Sequence, residues 1–193
     1  MVQILWHGRG GQGAFTASRL LGSAYSLKDD KSFALAFPSF GPERRGAPMR
    51  AFTKLDTKPI GNRSELEKAD YVIYLDDTLF SQEAFRQLKD GGKIILASKN
   101  KYDDKRVVAF DAVSISEKIL GLPITNTAVL GAFAALYDGI SLSDLEAAVK
   151  ANMAPKLQEK NIAVIKEAYY IVENRQIEKS QRSGEQTQSP DRS

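Results

Sequence analysis

The sequence predicts a Rossmann-like α/β fold, a mostly parallel sheet with helices on both faces. Three observations carry it. A short apolar strand runs directly into a glycine-rich loop and then into a helix. Strand and helix patterns alternate through Phe110, and from Ala112 onward the periodicity is helical. The 193 residues are one domain's worth of chain, enough to bury a core without a staple.

Each element has its own signal. Gln3–Trp6 is apolar and strand-like and leads into His7-Gly8-Arg9-Gly10-Gly11-Gln12-Gly13. Ala17, Leu20, Leu21, Ala24 and Leu27 recur at helical spacing, so Ala14–Leu27 reads as an amphipathic helix. Ser32–Phe37 and Met49–Leu55 have strand composition and flank a Pro/Gly-rich loop, Pro38–Pro48. Tyr71–Leu75 is the clearest buried strand, closed by Asp76-Asp77, and Leu79–Lys89 continues as a helix. Gly91-Gly92 turns into the strand Lys93–Ala97, and Val107–Phe110 is a shorter strand. Four helices follow: Ala112–Leu120, Thr127–Tyr137, Leu142–Met153 capped by Ser141 or Ser143, and Lys156–Val172. The domain is expected to span Met1–Asn174. Residues 175–193 are rich in Gln, Ser, Glu and Arg with Ile177 as the single aliphatic side chain, and are expected to be a disordered polar tail.

Composition narrows the chemistry. The chain has no cysteine, which excludes disulfides, a thiol nucleophile and any cysteine-ligated cluster or zinc site of its own. His7 is the only histidine, so a His-rich metal site has nothing to be built from. No apolar run approaches the roughly 18–20 residues of a membrane span, and a cytoplasmic setting with no membrane contact is expected. Residues 1–63 carry ten Lys/Arg against four Asp/Glu, so this part is +6 and the remainder −3. That asymmetry suits an anionic ligand or an acidic partner surface. It is too mild, and too poor in spaced aromatics, to indicate nucleic acid.

Two segments carry the chemistry. Gly8, Gly10 and Gly13 fit G-x-G-x-x-G between a strand and a helix, where backbone N–H groups at a helix start can meet a phosphate. Gly8, Arg9, Gly10, Gly11, Gln12 and Gly13 are therefore candidate cofactor-binding residues, the plain alternative being a tight packing turn. The acid that would hold a dinucleotide ribose is missing: the second strand ends in Phe37-Pro38-Ser39, and Asp29-Asp30 sit at its other end. NAD is disfavoured, and another phosphate-bearing ligand stays open. The second segment, Phe37 to Pro48, combines prolines, glycines, aromatics and two adjacent arginines. It reads as a stiff interface loop, with Phe40, Pro42, Glu43, Arg44 and Arg45 as candidate contact residues. Asp76-Asp77 reads more readily as a helix cap, at Asp77 or Thr78, than as an acid/base pair or an Mg²⁺ site; Asn126 reads first as an N-cap and second as a polar contact to a bound ligand, and His7 as a neighbour of the ligand side.

The GRGGQG loop followed some 25 residues later by FPSFGPERRGAPMRAF resembles the gamma subunits of pyruvate:ferredoxin (or flavodoxin) oxidoreductases, part of the 2-oxoacid:acceptor oxidoreductase family. ADYVIYLDDTL and NTAVLGAFAAL are also similar to the family, and the resemblance covers roughly Met1–Val172. It implies a multi-subunit complex that decarboxylates pyruvate oxidatively on thiamine diphosphate, passes electrons through [4Fe–4S] clusters to ferredoxin or flavodoxin, and transfers acetyl to coenzyme A. Alpha, beta and delta subunits are the implied partners. This chain would bind no cofactor alone, would be inactive in isolation, and would lie near the coenzyme A route. Attaching Gly8–Gly13 and Arg9 to coenzyme A phosphates rests on loop physics rather than on the resemblance. The competing readings are a free-standing nucleotide- or flavin-binding oxidoreductase and a regulatory ligand-binding module.

Overall fold

The structure, a computed structural model, describes residues 1–39 and 44–186. Six strands form one sheet: β1 (Val2–Arg9), β2 (Phe33–Pro38), β3 (Pro48–Asp56), β4 (Ala69–Tyr74), β5 (Leu88–Ala97) and β6 (Val107–Phe110), in the order β2-β3-β1-β4-β5-β6. β1, β4, β5 and β6 pair in parallel, while β3 runs antiparallel to both β1 and β2. Five strands thus share one direction and β3 alone opposes them, so the sheet is mostly parallel, as expected. The helices are α1 (Ala14–Ser26), α2 (Glu83–Arg86), α3 (Ala112–Leu120), α4 (Asn126–Ala134), α5 (Leu142–Asn152) and α6 (Pro155–Gln186).

Strand alternation divides the core into two faces. Ile4, Trp6, Ile73 and Ile95 point to the side covered by α1, α3, α4, α5 and α6. Leu5, Val72, Tyr74, Ile94 and Leu96 point to the other, where the helical cover among the described residues is α2 and a 3-10 turn, Asp77–Leu79. Helices do lie on both faces, but very unequally. The thin face is completed by the segment after β3. Lys54, only 2% exposed, donates from Nζ to the carbonyls of Asn62 and Ser64, each at 2.9 Å, and pins that segment down.

On the thick face α4 is buried at every position, which is why its sequence lacks a polar stripe. Gly131 lets α4 touch α6, since a Cβ there would collide with the Ile165 carbonyl. Thr127 Oγ1 donates to Asn161 Oδ1 at 3.0 Å across the same contact. The chain enters α5 through a capping box between Ser141 and Asp144.

Two expectations change. The helix over Leu79–Lys89 is not formed: the 3-10 turn and the four-residue α2 stand in its place. Leu88 is drawn into β5 opposite Ala69, whose N–H donates to the Gln87 carbonyl at 2.8 Å, so sheet pairing ends the helix early. Gly91, at φ 77°, supports the irregularity that the Gly-Gly pair signals. The second change is at the carboxyl end. α6 passes Asn174 and runs to Gln186, so residues 175–186 are helical rather than part of a disordered tail. Their Gln, Glu, Lys and Arg residues are good helix formers. Arg175 also fastens the extension by donating from NH1 to the Ala109 carbonyl at 3.0 Å. Residues 187–193 lie outside the described residues.

Candidate functional site

The carboxyl end of the sheet collects the residues singled out by sequence. β1 ends at Arg9, Gly10–Gly13 turn, and α1 begins at Ala14. Gly11 and Gly13 have φ of 95° and 81°, a left-handed backbone that side-chain-bearing residues rarely adopt, so glycine is required there. Gly13 is the N-cap of α1, makes no side-chain cap, and no acid occupies the first turn. The helix N-terminus is left with its own amides and the positive end of its dipole.

Arg9 is committed within the chain. Its Nε donates to Asp76 Oδ2 at 3.0 Å, NH2 to Thr78 Oγ1 at 2.8 Å and NH1 to the Gly46 carbonyl at 3.2 Å. Gln12 donates from Nε2 to the same Asp76 oxygen at 2.9 Å and accepts from the Arg9 N–H at 2.7 Å. Burial pushes the Asp76 carboxyl up, but hydrogen bonds from Thr78, Gln12 and Arg9 outweigh it and hold it below the usual range. Asp76 also caps the 3-10 turn at the Thr78 N–H, and Asp77 accepts from Ser98 Oγ at 2.6 Å. The cap expected at Asp77 or Thr78 is formed one position earlier, by Asp76.

The glycine loop and the arginine loop are one unit. Gly10 N–H donates to the Ala47 carbonyl at 2.9 Å, and Gly46 N–H donates to the Gly10 carbonyl at 3.0 Å. Gly10 and Arg45 form a parallel bridge, and a Cβ on Gly10 would run into the Arg44 carbonyl. The clasp leaves Arg44 and Arg45 exposed on a held backbone. Phe40, Pro42 and Glu43 lie outside the described residues. Phe37 is buried, stacked on Phe52 at 5.1 Å with Lys54 Nζ 5.5 Å above its ring.

Beside the loop lies a cavity of about 300 Å³ between Gly11, Gln12, Leu75 and Ala97, with Pro123 and Ile124 as an exposed apolar lip. Asn126 is not the N-cap of α4. Thr125 holds that position and donates from Oγ1 to the Leu75 carbonyl at 3.0 Å. Asn126 is instead 8% exposed and packed on the glycine turn, its Nδ2 2.5 Å from where a Gly13 Cβ would stand. Its side-chain amide makes no hydrogen bond among the described residues. Sequence reasoning places Asn126 at the right helix but misses this contact, because nothing local links positions 13 and 126. The polar pair Asn126-Thr127 opening an otherwise apolar helix was the available signal.

His7 faces the other side of the sheet. Its Nε2 lies 2.9 Å from Gln87 Oε1, and its ring stacks on Tyr74 at 4.4 Å. Burial lowers its pKa to about 4, so it is neutral at physiological pH. It borders a separate cavity of about 280 Å³ with Met49, Arg50 and Leu79, not the space by Gly11 and Gln12. Among the described residues no group of His, Asp or Glu is placed to hold a metal ion, and no helix is long and apolar enough to cross a membrane.

Comparison with known proteins places this geometry. Residues 3–171 match the family described as pyruvate ferredoxin/flavodoxin oxidoreductase. The pyruvate synthase subunit PorC of Methanothermobacter thermautotrophicus is 39% identical over 180 residues, covering 92% of this chain and 99% of that relative. The pyruvate/ketoisovalerate oxidoreductases common subunit gamma of Pyrococcus furiosus is 39% identical over 179 residues, covering 88% and 96%. The crystal structure of the pyruvate oxidoreductase subunit PORC of Thermotoga maritima superposes with a TM-score of 0.76 at 28% identity, covering 88% of this chain and 95% of that one.

Proposed function

Because the chain belongs to the pyruvate ferredoxin/flavodoxin oxidoreductase family, we propose that it is the gamma subunit of a multi-subunit pyruvate:ferredoxin (or flavodoxin) oxidoreductase. In that complex it docks subunits and positions a ligand, and the chemistry of pyruvate oxidation belongs to its partners. One observation carries the division of labour. The polar side chains at the carboxyl end of β1 and β4 are spent on one another: Arg9 and Gln12 on Asp76, Ser98 on Asp77. Beside them stand the exposed Arg44–Arg45 pair, the α1 N-terminus without a side-chain cap and the buried Asn126 amide, which are recognition groups rather than acid/base groups.

The relatives support the same reading. The Pyrococcus furiosus relative is named as a gamma subunit common to pyruvate and ketoisovalerate oxidoreductases. A gamma chain shared by two oxoacid specificities does not select the oxoacid. The thiamine diphosphate, the [4Fe–4S] clusters and the oxoacid contacts are accordingly assigned to alpha, beta and delta subunits. A free-standing nucleotide or flavin oxidoreductase has no counterpart among these relatives.

Within the complex, Gly11–Gly13 and Asn126 are proposed to receive a phosphate of coenzyme A. The α1 amides supply the dipole and Asn126 Nδ2 a further donor. Arg9 is a positioning residue, because its guanidinium holds Asp76, Thr78 and the arginine loop. The test is reconstitution with and without this chain, with titration of coenzyme A. The four-subunit complex should turn over pyruvate and the isolated chain should not. Asn126→Ala should raise the KM for coenzyme A roughly 10–150-fold, as losing a hydrogen bond to a charged group costs ~1.5–3 kcal/mol, with assembly unchanged. Turnover by the isolated chain overturns the subunit reading, whereas an unmoved coenzyme A KM overturns only the phosphate site.

A further inference from the structure

Away from the glycine loop, a groove of about 670 Å³ follows the outer edge of β6. β6 closes the sheet and pairs only with β5 among the described residues. Its floor is the edge itself, Val107 to Phe110. One wall is the loop after β5, with Lys99, Lys101 and Tyr102, and the other is α6, with Arg175 and Lys179. All four cations are exposed. The acids in the lining are Asp103 and Asp111; Asp111 caps α3 at the Ser114 N–H through Oδ1 and its Oδ2 lies 3.8 Å from Lys99 Nζ, so two acids stand against four cations. The chain beyond residue 63 is net negative, so this cluster runs against its surroundings.

We propose that this groove docks an acidic, extended segment of another polypeptide. The ladder geometry gives the direction of the edge. The Ile94 N–H donates to Arg106 and the Ser98 N–H to Phe110, so even-numbered residues of this strand face β5. The N–H and carbonyl of Ala109 therefore point away from the sheet. The carbonyl is held by Arg175, and the N–H, on a half-buried residue, is the donor left for an incoming main chain. Four strand residues span ~13 Å, and acids at alternate positions of an added segment fall on one side of it, toward a lysine wall. The charges steer and select the partner, while the edge donor fixes its register. This inference stands apart from the gamma-subunit reading and is tested on the full chain alone.

The probe is a fluorescein-labelled alternating Glu-Val octapeptide, followed by anisotropy at low salt, with a Gln-Val analogue, inorganic phosphate and a short single-stranded DNA as comparators. Saturable binding of the Glu-Val peptide is expected, weakened tenfold or more by K99E/K101E and by the Gln-Val sequence. Amide exchange at Ala109 should slow when the peptide binds. Several results each overturn the proposal: K99E/K101E binding like the unaltered chain, displacement by an equal charge concentration of phosphate, tighter binding of the DNA, or unchanged exchange at Ala109. The substituted lysines are exposed, and thermal melting checks that the variant remains folded.

Discussion

Gly10→Ala is the sharpest probe of the clasp between the two loops. The new methyl would stand against the Arg44 carbonyl oxygen, with the Arg44 carbonyl carbon at 3.0 Å and Arg45 Cα at 3.3 Å. These are backbone atoms, so no rotamer change relieves the contact, and the segment Arg44–Ala47 must move off. Moving it breaks the Gly10–Ala47 and Gly46–Gly10 hydrogen bonds, and strains the Arg9–Gly46 contact. Two backbone bonds at about 1 kcal/mol each give a loss of ~2 kcal/mol, or roughly 4–8 °C in Tm for a chain of this size. The α-helical side of the core is untouched, so the protein should still fold. Amide exchange at Gly46 and Ala47 should accelerate, and assembly with the alpha and beta subunits by size-exclusion chromatography should weaken more than Tm alone accounts for. Gly61→Ala is the control, because a Cβ there meets open space. If Gly10→Ala keeps slow exchange at Gly46 and assembles normally, the glycine loop does not hold the arginine loop and the clasp has no role in docking.

Other perturbations follow from the same geometry. Truncating Arg44 and Arg45 together should leave the unfolding free energy within ~1 kcal/mol of the parent, since both are exposed, yet cost assembly ~2–5 kcal/mol if they meet partner carboxylates; normal assembly removes the docking role. Gly131→Ala drives a methyl into the Ile165 carbonyl between α4 and α6 and should cost about 3 kcal/mol, read as a melting shift of roughly 6–12 °C; a shift under a few degrees would mean the helices part cheaply. His7 has a folded pKa of about 4 against 6.5 unfolded, lowered chiefly by burial and also by Arg50. The unfolded chain therefore takes up the proton first, and stability present above pH 6.5 is lost as pH falls toward 4, by up to about 3 kcal/mol. His7→Gln should flatten the denaturant midpoint between pH 6.5 and 4.5, and an unchanged slope would place the titration elsewhere.

Most of the framework was legible because it is written locally. Val107–Phe110 and Ala112–Leu120 carry their own periodicity and stops, and both form over those same residues. The helix expected over Leu79–Lys89 failed where local and tertiary demands compete. Leu88 suits the apolar face of a helix equally well, and only pairing with Ala69 decides for the strand. The extension of α6 was hidden for a related reason. Its residues have helical propensity but little apolar surface, and the Arg175–Ala109 contact that fastens it joins positions far apart in sequence. At the site, both loops were visible as motifs. Their clasp was not, because it is made of backbone hydrogen bonds, which leave no side-chain signature. Arg9 looked available for phosphate because its counter-ion, Asp76, belongs to a different strand end.

The direction of β3 changes the meaning of the glycine fingerprint. In a dinucleotide-binding fold the second strand lies beside the first, so an acid at its carboxyl end reaches the ribose of a nucleotide held at the first glycine turn. Here β3 is inserted antiparallel between β1 and β2, so β2 sits two strand spacings away, about 10 Å. The missing acid after Phe37 is therefore not the deciding fact, since no residue at that position stands next to the glycine turn. The place of the ribose-binding strand is taken by β3, and it is the chain entering β3, Arg44 to Ala47, that closes on Gly10. The same glycines that elsewhere admit a pyrophosphate admit a second backbone here. Inserting one reversed strand turns what would be a nucleotide cradle into the anchor of an exposed arginine loop.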